Sequence, residues 1–315
     1  MKQFSLQQSV LATLTYTDIV DYPLTAGEVW RFLYRPEGTV SQEDVNDALV
    51  ELMGQGKVDR EGDWYMLNGR RSIAATRKER TELSKKKWRR AKSAAEFLRL
   101  VPFVRGVFVC NSVAIDNGKK ESDVDIVVII KAGRMFLARF AVTAIVQLLG
   151  YRRHGTKIAD RVCLSFYVTD DAIDFSSLRL QPEDPQLAFW VATFVPLINR
   201  GDTFQHVREA NPWVLEYFPN AFSTNPRNEQ LAEDQLLNSV RLFFENAFMG
   251  SIGEPLEQSA RSMQMKRMQR NKQSRQNEPT TDVIISDTLL KYHERDRRGE
   301  MREKFEQRLN ELGLQ

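Results

Sequence analysis

The stretch that decides the fold runs from Val104 to Ile130, VRGVFVCNSVAIDNGKKESDVDIVVII. Val104 to Cys110 reads as a strand covered on both faces, a short apolar run that stops at the turn residues Asn111 and Ser112. After a spacer of about ten residues, Asp123 to Ile130 opens as Asp-Val-Asp-Ile and reads as a second strand. Alternate side chains of a strand share a side, so Asp123 and Asp125 project together while Val124 and Ile126 face the other way. Two carboxylates held side by side repel each other. A hard divalent cation with oxygen ligands is the simplest compensation.

Working outward, Met135 to Leu149 has the pattern of a helix and Arg161 to Val168 that of a third strand, so the segment is α/β. On the N-terminal side, residues 73 to 100 place Trp88, Ala91, Ala95 and Leu98 at helical spacing beneath a broad face rich in Lys and Arg. This long basic helix is either a solvated connector or a cationic wall beside a phosphate-handling site. The first 70 residues predict three helices and a hairpin. Phe4 to Tyr22 is the first helix, Thr25 with Glu28 caps the second, and Ser41 opens the third, whose Val45, Ala48, Leu49, Leu52 and Met53 form one apolar face. Strands at Lys57–Arg60 and Trp64–Leu67 flank a Glu61-Gly62-Asp63 turn. That order resembles a winged helix. Its third helix, however, carries Glu43, Asp44, Asp47 and Glu51 with no Lys or Arg, so it repels phosphates. Sequence-specific DNA reading is therefore not expected, and a packing role or a protein partner at this acidic surface is.

Beyond Pro182 the apolar blocks read as helices, residues 261 to 281 as a mobile basic segment, and SDTLLKYHERDRRGEMREKFEQRLNEL (286–312) as a charged helix or helix pair. The expected domains are thus 1–70, 71–180 and 181–315. The 315 residues, 42% of them hydrophobic, suffice for several cores, and an excess of only three cationic over anionic side chains excludes a general polycation. Cys110 and Cys163 lack the paired spacing of a zinc site and read as small core residues. The opening MKQFSLQQSV has no basic-then-apolar leader pattern, and the longest apolar stretch, Met135–Leu149, is interrupted by Arg139 and Gln147. A soluble cytoplasmic protein with no membrane role is expected.

The Val104–Ile130 stretch resembles the signature of the DNA polymerase β nucleotidyltransferase superfamily. There an apolar strand, a Gly-Ser or Gly-Gly turn, a spacer and an Asp-apolar-Asp-apolar strand follow one another. The resemblance covers about residues 95 to 170 and implies a small mixed-sheet core, here in an α/β (α+β) chain flanked by the winged helix and a C-terminal helical region. By position it implies that Asn111 and Ser112 hold the phosphates of a nucleoside triphosphate and that Asp123 and Asp125 bind magnesium, two ions being expected. The implied reaction is transfer of a nucleoside monophosphate to a small molecule, a protein or an RNA end. Lys119 and Lys120, in the loop before the acids, are placed to meet triphosphate.

Two departures from the pattern carry weight. Asn111 stands where the family has glycine, and asparagine is the next residue best able to take a left-handed backbone. The family often adds a third carboxylate from a later strand, but RVCLSFYV has Ser165 in its middle. Asp160, just ahead of that strand, is the nearest substitute as proton acceptor, with Asp170 and Asp171 at the far end. Strand parity also allows Cys163 and Ser165 to take the metal side instead. The competing expectation is a nucleotide-binding scaffold or winged-helix regulator without strong catalysis. His154 and His293 read as surface residues, and Trp190 and Trp213 as core.

Overall fold

The computed structural model describes residues 2–224, 227–271, 274–276, 278, 280–292 and 296–314. Helix α1 (Leu6–Asp18) leads through β1 (Leu24–Thr25) to α2 (Ala26–Arg31) and α3 (Gln42–Gly54), followed by the hairpin β2 (Val58–Glu61) and β3 (Trp64–Leu67). Thr25 and Ser41 start α2 and α3 for the reason their spacing predicts. Each hydroxyl accepts from the N–H three residues on, and the Glu28 or Asp44 carboxylate there reaches back to the cap's own N–H. Val45, Ala48, Leu49 and Leu52 bury one face of α3, while Glu43, Asp44, Asp47 and Glu51 stay exposed. The short β1 also pairs with β3, so the hairpin becomes a three-stranded sheet.

Helix α4 (Ser72–Leu98) buries Trp88, Ala91, Ala95 and Leu98 as its spacing predicts. Its cations divide: Lys78, Lys85, Lys86 and Arg89 stay exposed, as on a solvated connector, whereas three others are buried and paired. Arg77 bridges to Glu28 at 2.7 Å. Arg80 donates to the Asn117 side chain at 3.0 Å and to the Val20 carbonyl at 2.7 Å. Lys87 donates to Asp160 at 2.7 Å and to the Ser122 carbonyl at 2.6 Å. The helix therefore straps the N-terminal unit to the loop between the two diagnostic strands.

Those strands are β4 (Val104–Val109) and β5 (Val124–Ile130), separated by the single turn α5 (Asn111–Ala114); α6 (Met135–Leu148) and β6 (Val162–Thr169) follow. Next come α7 (Pro185–Ala192), β7 (Val195–Asn199), α8 (Thr203–Ala210), α9 (Gln235–Met249), α10 (Gly253–Gln269), β8 (Val283–Ile285), β9 (Leu289–Tyr292) and α11 (Arg298–Glu311). Six strands form one sheet in the order β7-β4-β5-β6-β9-β8, in which β5 and β6 run parallel and the other neighbours antiparallel. The fold is mixed α/β, as expected.

The last third of the chain corrects the sequence reading. It is not purely helical, since it supplies β7, β8 and β9, so the sheet crosses the expected boundary at residue 180. The 286–312 stretch holds one charged helix, preceded among the described residues by a strand. Leu289–Tyr292 pairs with β6 and with Val283–Ile285 around a Ser286–Thr288 turn, and among the described residues α11 is the helical part. The dense charge after Tyr292 hid a short apolar hairpin. Residues 261–269, expected to be mobile, belong to α10, which is held against α6. The Glu257 carboxylate accepts from the Phe136 and Leu137 N–H groups, both at 2.8 Å, which neutralises the positive end of α6. Lys272 and His293 lie outside the described residues.

The two faces of the large sheet carry two cores. Val124, Ile126, Val128 and Ile130 of β5 pack with Trp88 and Leu98 of α4 and Val142 and Val146 of α6. Val127 and Ile129 pack on the other face with Phe166, Phe189 and Trp190, in a core that continues into Leu14, Phe32 and Leu49 of the N-terminal unit and Phe305 of α11. The change of pattern at residue 70 is therefore not a gap in the core. Among the described residues no helix is long and apolar enough to cross a membrane. Phe305, 2% exposed, sets its ring edge-on to Tyr16 at 5.2 Å and to Tyr34 at 5.1 Å. Phe305→Ala should cost about 3–5 kcal/mol in urea unfolding. A single transition is expected, because one core serves both units; two separated transitions would contradict the shared core.

Candidate active site

Burial of Val124 and Ile126 against α4 and α6 leaves Asp123 and Asp125 on the opposite face, beside α7. The turn at the end of β4 is tied to them. Asn111 has φ 58°, the left-handed conformation its place in the pattern requires. Its side-chain amide donates to the Asp125 carboxylate at 2.8 Å, and the Cys110 N–H donates to the Asp125 carbonyl at 3.1 Å. Burial, and then the neighbouring Asp123, push the Asp125 carboxyl up to about 6, against the opposing pull of the Asn111 hydrogen bond and the Arg153 charge.

The next strand faces the aspartates with Cys163 and then changes register. Asp125 lies opposite Cys163, but Val127 lies opposite Phe166, so β6 carries one extra residue there. Cys163 and Ser165 line the cavity with the aspartates by their own alternation, and the extra residue turns Phe166 instead of Tyr167 to that side. The Cys163 sulfur and one oxygen from each of Asp123 and Asp125 lie within 4.8 Å of one another. Burial pushes the Cys163 thiol up to about 12, so it is protonated at neutral pH.

Asp160 does not join this group. Its backbone is left-handed, at φ 57°, and its carboxylate is gripped by Lys87 at 2.7 Å and Lys86 at 2.6 Å. Burial pushes that carboxyl up, but the two lysines outweigh it and hold it below the usual range. These pairs fasten α4 to the start of β6, and Asp160, expected as proton acceptor, is not among the residues lining the aspartates' cavity. Asp170 and Asp171 are also placed elsewhere, bonded to the Ala132 N–H and the Thr169 hydroxyl at the far end of the strand.

The aspartates open into a cavity of about 660 Å³ whose walls include Arg153, Phe166, Trp190, Lys291 and Arg298. An adjoining cleft of about 280 Å³ is lined by Ser112 and Lys119, and it shares Asn111 and Trp190 with the first. Lys120 is exposed and lines neither, and His154 is exposed as expected. Trp213 is core, whereas Trp190 is core and also cavity wall.

Two features of the site were missed in the sequence. Arg153 bridges to Asp123 at 2.6 Å and approaches the Cys163 sulfur at 3.6 Å. No local signal marks it, since its place depends on how β6 lies against β5. The second is a buried ionic network across the cavity. Arg298 joins Asp184 at 2.5 Å and Asp296 at 2.8 Å, and Lys291 joins Asp296 at 2.8 Å. A lysine within the apolar LLKY strand, and an aspartate preceding a helix-starting Pro185, were its available signals.

Comparison with protein-family models, curated proteins and solved structures gave no match. The site therefore rests on its own chemistry.

Two outcomes follow from these charges. Asp160→Asn leaves the buried Lys87 without its anion, and should destabilise the chain by about 3 kcal/mol in chemical unfolding; an unchanged midpoint would contradict the fastening role. Burial pushes the Asp296 carboxyl up, but Arg298 and Lys291 more than reverse this and hold it well below its ordinary value. A depressed carboxylate stabilises the fold above its unfolded value and loses that contribution as pH falls. Thermal melts from about pH 7 to about pH 3 should show Asp296→Asn less stable than wild type at the upper end, with the gap closing towards the lower end. A gap of constant size would count against the network.

Proposed function

We propose that this chain is a magnesium-dependent nucleotidyltransferase, moving a nucleoside monophosphate from a nucleoside triphosphate to an acceptor with release of pyrophosphate. The observation that carries this reading is the pairing of Asp123 and Asp125 on one strand face, with the left-handed Asn111 turn hydrogen-bonded to Asp125. The donor set fits a hard cation. Two carboxylates supply oxygen ligands, the neutral Cys163 thiol adds no hard donor, and the cavity leaves room for water and phosphate oxygens. Asp123 and Asp125 would hold the ions, which when bound supply the Lewis acidity of a two-metal phosphoryl displacement.

The chain's own residues have separable roles in this proposal. Asn111 and Ser112 hold the triphosphate, Lys119 adds charge on the adjoining wall, and Lys120 contributes from the exposed part of the same loop. Arg153 neutralises Asp123 and is a charge-assisted donor that can turn to a phosphate oxygen. Phe166, Leu187 and Trp190 form an apolar wall that limits water. A cavity of this size lies within the range of small-molecule sites, which favours a small acceptor over an RNA end or a protein side chain. The exposed acidic face of α3 favours a protein partner over duplex DNA.

A nucleotide-binding scaffold is the second reading. It is favoured by Cys163 and Ser165, in place of a carboxylate, lining the cavity and by the engagement of Asp160 with lysines. Calorimetry with magnesium and a non-hydrolysable triphosphate should show binding to wild type and a loss of at least about 10- to 100-fold in Asp125→Asn. Equal affinity in the two proteins would sink the metal assignment. Magnesium-dependent consumption of labelled triphosphate across an acceptor panel separates transferase from scaffold.

A further inference from the structure

Helix α9 is amphipathic in the reverse sense. Its two ionic residues, Arg241 and Glu245, are buried, with Glu245 bonded to both Arg241 and Arg105. Its exposed residues carry no charge, and the largest are apolar: Leu236 is 72% exposed, Phe243 69%, Phe244 44%, Leu242 and Met249 42% each and Val240 40%. Leu236, Val240, Phe243 and the exposed Ala247 are spaced four, three and four residues apart. That is the seam of a packed helix pair, and it lies on the side of α9 away from Arg241 and Glu245.

We propose that α9 is the interface through which two copies of this chain form a two-fold dimer, independently of the cavity chemistry. Three observations select a second copy as the occupant. In an antiparallel pairing about a two-fold axis near the middle of the seam, Leu236 meets the partner's Ala247 and Val240 meets the partner's Phe243. Each layer then sets a larger side chain against a smaller one, and the seam is self-complementary as an isologous contact requires. The face also lacks charge, so two copies meet without like-charge repulsion. An interfacial membrane helix would instead carry Lys and Arg along its flanks, and the exposed residues of α9 include neither. Finally, the seam and its flank expose on the order of 500 Å² of apolar side chain, which matches the apolar share of a standard interface of about 800 Å² per partner.

The full chain should sediment at equilibrium as a dimer of the 36.4 kDa chain. Phe243→Glu places a charge in the central layer twice over, and is expected to weaken self-association at least about 100-fold. Its circular dichroism and melting temperature as a monomer should match those of wild type, because Phe243 is mostly exposed in the single chain. Val240→Thr, a milder change, should weaken the dimer less while keeping it detectable. Leu148→Glu, at an 86% exposed leucine closing α6, should leave the dimer intact and so controls for general loss of surface apolarity. A monomeric wild type at about 100 µM, or a Phe243→Glu dimer as tight as wild type, would overturn the proposal. Flotation of the wild type with lipid vesicles, abolished by Phe243→Glu while the chain stays monomeric in solution, would likewise overturn it.

Discussion

The structure depends on the two-sided burial of strand β5. Val124, Ile126, Val128 and Ile130 are locked against α4 and α6, and the period of two then leaves the odd-numbered positions no freedom. Asp123 and Asp125 must share a face, followed along the strand by Val127 and Ile129, which are sealed under α7. A slip of one residue would drive both carboxylates into the apolar layer below α6. The paired acids are thus maintained by the hydrophobic core, and their mutual repulsion is an accepted cost of that register.

Charge around the cavity is handled almost entirely by pairing. Asp123 has Arg153, Asp160 has Lys86 and Lys87, and Asp184 and Asp296 share Arg298, with Lys291 added to Asp296. Asp125 differs: its closest partner is the neutral amide of Asn111, and its carboxyl is raised to about 6. A group in this condition gains most from a cation arriving beside it, because the cation offsets both the burial and the Asp123 charge that disfavour ionisation. The site is asymmetric for that reason, with Asp123 paired to a cation and Asp125 to a neutral amide.

The elements around the sheet hold the site by tethering its loops. Helix α4 reaches Glu28 in the N-terminal unit, Asn117 and the Ser122 carbonyl in the loop before the acids, and Asp160 ahead of β6. A loop fixed at both ends by buried donors positions Asn111 and Asp123 more tightly than turn geometry alone. At the other side, α11 packs Phe305 into the N-terminal core while Arg298 at its start grips Asp184 ahead of α7. Tyr16 and Tyr22 of the first part and Met301 of the last thereby line the adjoining cleft together.

The sequence by itself determined the features governed by local chemistry. Capping boxes at Thr25 and Ser41 fixed helix starts, period-two alternation put Asp123 and Asp125 together, and the tolerance of asparagine for a left-handed backbone kept the turn at Asn111. Each depends on neighbours within a few residues. What only the tertiary structure decided depends on how distant segments meet. The extra residue in β6 turned Phe166 instead of Tyr167 to the cavity, the approach of α4 took Asp160 away from it, and a hairpin distant in sequence delivered Lys291. A charged side chain looks the same in sequence whether it faces water or a buried partner, since the partner that makes its burial tolerable is supplied by a remote part of the chain.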